Sequence, residues 1–205
     1  MKEVRSCTVL AKTKQSEVKR ASTRASYKKD ELFPIIDDLM MAHICFIQDE
    51  SPISIPMLCW RVDNLIFVHG SRGSRLIKQL TNGNNTCVSF AELNGWVMAK
   101  SAFHHSANYR SAVLFGKFSI VNDEATQLQY YQSFVEQLET GRWQHIRSPN
   151  AKELAATTLL CMEIDEGAVK IRTGGPIDDP EDMALPVWVG EIPLLRQWGE
   201  PKISN

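Results

Sequence analysis

Phe67-Val68-His69-Gly70-Ser71-Arg72-Gly73-Ser74-Arg75-Leu76 carries an apolar, strand-forming run into a bend of glycine, serine and arginine and then into a helix. A phosphate monoester needs several N–H or O–H donors and a cation. Ser71, Arg72, Ser74 and Arg75 at a helix start supply both. Two readings of the bend stay open: an anion pocket, or a turn with a capped helix and solvated arginines. It is not a Walker loop, because G-x-x-x-x-G-K is absent, and it contains no G-x-G-x-x-G dinucleotide fingerprint.

Working outward, Ser74 to Leu80 places Leu76, Ile77 and Leu80 on one face and runs into Asn82-Gly83-Asn84-Asn85, which predicts a two-turn helix ending in a loop. Before the bend, Ala42 to Gln48, Ile53 to Trp60 and Leu65 to His69 are short apolar strands separated by turn-forming clusters. Beyond it, Thr86 to Glu92 and Trp96 to Ser101 read as a hairpin around Leu93-Asn94-Gly95, and Tyr109 to Val121 as a long strand. Leu159 to Ile164, Ala168 to Thr173 and Pro186 to Pro193 are the last strands expected. Helical spacing predicts a short helix within Tyr27 to Leu39 with Asp30 as N-cap, a longer one over Asp123 to Glu139, and one over Ala151 to Ala156 capped by Asn150. About eight or nine strands with a few helices and no alternating βαβ order predict a mainly β fold with added helices, an antiparallel barrel.

The 205 residues allow one domain with a sizeable core. With 43% hydrophobic and 23% charged residues the chain reads as globular, and a net charge of −1 leaves no whole-molecule footprint for nucleic acid. Charge is instead concentrated in residues 1–30, where nine Lys or Arg face three acids. A basic arm over 1–26, a domain over 27–195 and a tail over 196–205 is the expected organisation. The arm is read as packing on the domain or contacting an anion. Five widely spaced cysteines without C-x-x-C suit reduced core thiols and a cytoplasmic location. No signal-length or membrane-spanning apolar run is present.

The order Ile55-Pro56-Met57-Leu58-Cys59-Trp60, a short turn, then Phe67 to Arg75 resembles the flavin-binding core of the pyridoxamine 5'-phosphate oxidase-like split barrels. It looks closest to the flavin-nucleotide-binding branch that includes nitroimidazole-resistance proteins. Lys100 to Ser111, Ala151 to Thr157, Lys170 to Gly174 and Leu185 to Gly190 extend the likeness over roughly residues 18–195. The resemblance implies a Greek-key-like, FMN-binding split β-barrel that forms a homodimer with flavin sites at its interface. It implies that Ser74 and Arg75 grip the FMN phosphate beside Gly70 and Ser71, that His69 closes the strand there, and that Pro56, Met57, Leu58, Cys59 and Trp60 run along the isoalloxazine ring. Arg110 and Ser111 stand where the oxidases carry an Arg-Gln pair, so the shorter Ser111 would reach the ring system or ribityl chain. Trp188 resembles a tryptophan that reaches the partner subunit's flavin.

One departure narrows the chemistry. True pyridoxamine-phosphate oxidases carry a late Arg-x-His element that holds the substrate phosphate, and here Trp188-Val189-Gly190 is followed by Glu191-Ile192-Pro193-Leu194. The expected activity is therefore FMN-dependent oxidoreduction between a reduced nicotinamide or deazaflavin and a small acceptor, with no catalytic acid or base assigned. The competing reading is a flavin or haem carrier without turnover, for which His69, His104 and His105 are the available histidines. A transcriptional role for the basic arm rests on charge alone. Adjacent His104 and His105 project to opposite sides of a strand and have no third ligand at useful spacing, so no metal site is assigned.

Overall fold

The computed structural model describes residues 8–204, so Lys2, Glu3, Arg5 and Cys7 of the basic arm lie outside the described residues. The chain divides into two units, one made of the residues up to Phe90 with Ser111–Lys170, the other of Ala91–Arg110 with the residues from Ile171 onward.

In the first unit, the arm is anchored before the first helix. The Leu10 side chain is buried, its N–H donates to Tyr27 O at 2.6 Å, and the Ala11 N–H donates to Asp165 O at 2.6 Å. After the two-residue strand β1 (Ala25–Ser26), helix α1 (Lys29–Leu39) buries Leu32, Ile35 and Ile36, the positions that recur at helical spacing. Its N-cap is Lys28 without a side-chain cap, so Asp30 lies two positions too far along to cap. There its charge faces the positive end of the helix dipole instead.

Strand β2 (Met41–Gln48) alternates burial strictly, with Ala42, Ile44 and Phe46 inward. It pairs antiparallel with β3 (Ser51–Leu58) from Met41↔Leu58 to Gln48↔Ser51. The expected strand to Trp60 divides here. The Cys59 N–H donates to Met40 O at 2.7 Å, outside the β2 ladder, and Trp60 opens a new strand, β4 (Trp60–Val62), paired with β5 (Leu65–Ser71). Helix α2 (Arg75–Leu80) follows the bend, with Ser74 as its N-cap accepting from the Ile77 N–H at 3.3 Å.

β6 (Thr86–Met98) begins in this unit, and β7 (Ser106–Gly116) ends in it. The short β8 (Ser119–Ile120) leads to α3 (Glu124–Leu138), capped by Asp123, and α4 (Ala151–Ala156) carries a full capping box between Asn150 and Glu153. β9 (Thr157–Glu163) and β10 (Glu166–Arg172) complete two sheets, ordered β1-β10-β7-β6-β2-β3 and β4-β5-β9-β8. Trp60, Phe67 and Leu159 form a core cluster under α3, with Tyr130, Tyr131 and Phe134 packed against it. The result is the mainly antiparallel β architecture with helices that the sequence predicts.

The second unit corrects one expectation. Asn94-Gly95 does not turn a hairpin; β6 continues unbroken to Met98. The strand β11 (Gly190–Pro193) lies against it, Pro193 opposite Gly95, and a Cβ at Gly95 would stand 2.5 Å from Ile192 O. Glycine is needed there for the close approach of a neighbouring strand, a requirement that looks the same in sequence as a turn. Within this unit the Arg172 guanidinium is buried, donating to Asn108 Oδ1 and to the carbonyls of Gly174 and Gly175.

Candidate functional site

The register of β5 on β9 builds the site. His69↔Leu159, Gly70↔Thr158 and Ser71↔Thr157 carry the pairing to the edge of the sheet, and the Arg72 N–H then donates to Ala156 O at 3.0 Å, fixing the bend to the end of α4. Ser74 N–H donates back to Ser71 O at 2.9 Å, closing the turn. Gly70 permits the turn to sit close: a Cβ there would lie 3.1 Å from Ile77 Cγ1 and 3.2 Å from Met57 Cε. The same residue thus lets α2 and β3 both approach the end of β5.

Beside this bend lies a cleft of about 340 Å³ lined by Arg72, Lys78, Thr81, Asn122, Gln127, Thr157 and Thr158 along with Ile77, Ile120, Leu154 and Leu159. Gln127 is held by its own hydrogen bond to Val121 O at 2.6 Å, and the nearest acid in sequence, Asp123, is occupied by the Thr126 N–H and hydroxyl. Arg75 donates through Nε to Gln48 Oε1 at 2.6 Å, a neutral partner. None of Arg72, Arg75 and Lys78 forms an ion pair among the described residues. Arg72 and Lys78 are the two cations that line the cleft, and with its hydroxyl and amide donors they make a site whose complement is an anion with several acceptor oxygens; Arg75, expected from the sequence to grip the phosphate, is not among the lining residues.

The other residues singled out from sequence fall into different surroundings. Pro56 and Leu58 are exposed and Met57 is half-buried, whereas the side chains of Cys59 and Trp60 are fully buried in the core, so neither is open to a ligand. His69 does not face the bend. Its ring stands edge-on to Trp60, Tyr131 and Phe134, with centroids 5.6–5.7 Å away, and burial holds its pKa below the usual imidazole value. His69 Nδ1 and Trp60 Nε1 are buried and have no hydrogen-bond partner. Ser111 Oγ donates to Lys170 O at 3.2 Å. In the second unit, Arg110 Nε donates to Glu92 Oε2 at 2.5 Å, and Trp188 lies just before β11 with 60% of its surface exposed. His104 pairs with Asp179 at 3.0 Å, and His105 bonds Ser101 O at 2.8 Å. Among the described residues no group of three His, Cys, Asp or Glu could hold a metal ion. No helix among them is long and apolar enough to cross a membrane.

Lys78, Thr81, Asn122, Gln127, Thr157 and Thr158 were not legible as site residues from the sequence. Lys78 alone left a signal, standing one helical turn beyond Arg75. The others arrive by strand register and helix placement.

An antiparallel split barrel with a cationic strand-to-helix bend is the class of protein these features define. The family model described as pyridoxamine 5'-phosphate oxidase matches residues 28–171, and the chain belongs to that family. It is 34% identical to the flavocytochrome Anf3 from Azotobacter vinelandii, covering 95% of this chain and 91% of that one with a TM-score of 0.90. It is likewise 34% identical to the FAD and heme binding protein from Mycobacterium smegmatis, covering 88% and 89% of the two chains with a TM-score of 0.84. A candidate 5-nitroimidazole antibiotic resistance protein from Bacteroides thetaiotaomicron shares the fold at 17% identity, with 71% and 86% of the chains covered and a TM-score of 0.59. No curated protein matches the chain.

Proposed function

We propose that this chain is a flavin-nucleotide-binding redox protein whose cationic bend takes the flavin's phosphate. The observation that carries the reading is the grouping of Arg72 and Lys78, without carboxylate partners, beside the hydroxyls of Thr81, Thr157 and Thr158. The phosphate next to the ribityl chain is common to FMN, which the sequence resemblance implies, and to FAD, which the Mycobacterium smegmatis relative is named for. The cationic bend therefore serves either nucleotide. Exposed Pro56 and Leu58 and half-buried Met57 supply the apolar edge suited to a flat ring. A bound flavin supplies one- or two-electron transfer, and the chain's own part is to hold and orient it. The activity proposed is oxidoreduction of a small acceptor, fed by NAD(P)H or another reduced donor. The chain acts as a homodimer, a reading supported by the exposed apolar side chains of the C-terminal segment, Trp188, Leu195 and Trp198 among them.

Haem as a second prosthetic group is favoured by one observation, the partnerless Nδ1 of a neutral, aromatic-caged His69, the form of imidazole that binds iron. Both relatives at 34% identity carry names that include a cytochrome or heme. The test is the visible spectrum of the purified chain before and after addition of FMN, FAD or hemin, with acid-released flavin identified by chromatography. Flavin bands support the first reading and a Soret band lost in His69→Ala supports the second. A colourless protein that takes up neither removes both.

A further inference from the structure

Cys45 lies in the middle of β2 and Cys87 near the start of β6, and the two strands pair so that these residues are directly opposite, next to Ile44↔Val88 at the end of the ladder. Directly opposed residues in an antiparallel pair have Cα atoms roughly 4.5–5.5 Å apart, inside the span of roughly 4.4–6.8 Å that disulfides use. Both side chains point to the same face of the sheet, away from buried Ile44 and Val88, and both are half-buried and reduced. Cys45 is also close enough to Cys87 to contribute to the upward shift of the Cys87 pKa. Cys45 Sγ also lies 3.5 Å from Ser54 Oγ, a hydroxyl able to turn and donate to a thiolate. Cys59 is sealed in the core, and Cys161 stands opposite Phe67, so neither has such a neighbour.

We propose that Cys45 and Cys87 are a peroxide-reactive thiol pair that closes reversibly into a cross-strand disulfide. The inference is independent of the flavin assignment. Cys45 thiolate attacks hydrogen peroxide: an S–O bond forms, the O–O bond breaks, and the departing hydroxide takes up a proton to become water. Cys87 sulfur then attacks the resulting sulfenic sulfur, forming S–S and breaking S–O. The second hydroxide leaves with the Cys87 proton as water. In sum two thiols give up two electrons and two protons to one peroxide, which becomes two waters. Burial and the neighbouring Cys45 raise the Cys87 pKa to about 11, which suits Cys87 to the second, resolving step rather than the first attack. The bond would close into one covalent ring the stretch that contains β3, β5 and the cationic bend.

The experiment is peptide mapping of the full-length purified protein after a few equivalents of hydrogen peroxide, with remaining thiols alkylated before digestion. A linked pair of Cys45 and Cys87 peptides is expected, lighter by two hydrogens, restored by dithiothreitol, and formed at a rate that does not change when the protein is diluted. Cys45→Ser and Cys87→Ser should each abolish the linked pair. Full alkylation of both cysteines after peroxide, a link between two chains, or sulfinic acid as the main product at Cys45 in the unsubstituted protein would each overturn the proposal. Because the decisive reading is made on the unsubstituted chain, misfolding of either variant leaves the test intact.

Discussion

The imidazole of His69 stands edge-on to the indole of Trp60, ring centroids 5.7 Å apart, and each ring holds a buried nitrogen with no hydrogen-bond partner. Two polar ring nitrogens left without partners in an aromatic cage cost stability in isolation, and the packing of the surrounding rings offsets that cost.

Burial lowers the His69 pKa, so the unfolded chain binds a proton there that the folded chain refuses. Stability is then unaffected above the ordinary imidazole value of 6.5 and falls as pH drops below it, until the folded form also protonates. Denaturant melts from pH 7.5 down to 5 are expected to show this decline, with a shallower slope in His69→Phe. Identical slopes in the two proteins would mean that the imidazole is not held neutral.

Arg72→Ala and Lys78→Ala should each weaken flavin-nucleotide binding by roughly ten- to a hundredfold, because each removes a charge-assisted contact to phosphate. Neither is expected to lower the thermal midpoint appreciably, since neither cation is engaged in an ion pair among the described residues. Titration followed by flavin fluorescence checks the first statement and a thermal melt the second. Riboflavin, which lacks the phosphate, should bind the unsubstituted and altered chains alike.

A methyl group at Gly167 would press on the Val113 carbonyl and come within 2.8 Å of Leu114 Cδ2. One obstacle is backbone, which cannot rotate aside, so Gly167→Ala is expected to cost about 1–3 kcal/mol. The unfolding midpoint in urea reads this directly, and an unchanged midpoint would show that β7 and β10 can separate freely.

Loss of the Asn150 cap should act on the site at a distance. Asn150 Oδ1 accepts from the Glu153 N–H at 3.0 Å, and α4 ends at Ala156, whose carbonyl anchors the Arg72 N–H. Asn150→Ala is expected to destabilise the helix by about 1 kcal/mol and to quicken hydrogen exchange at the Arg72 amide. Protection at Arg72 equal to that of the unaltered chain would uncouple α4 from the bend.

Local chemistry made much of this legible beforehand. Ser74, Asp123 and Asn150 cap their helices as their side chains dictate, and Leu32, Ile35 and Ile36 bury the face their spacing implies. Each of those signals is complete within about one helical turn of chain. Gly95 and Cys59 were misread, since one serves a strand arriving from Ile192 and the other breaks off toward Met40.

By itself the sequence determined the antiparallel β class, the strand-to-bend-to-helix unit at Phe67 to Leu76, and the cations it would present. Only the tertiary structure decided that His69 turns into an aromatic cage, that Thr157, Thr158, Asn122 and Gln127 complete the cleft, and that Cys45 faces Cys87. Those outcomes depend on register between segments far apart in the chain, and a register shift of one residue moves every side chain to the opposite face.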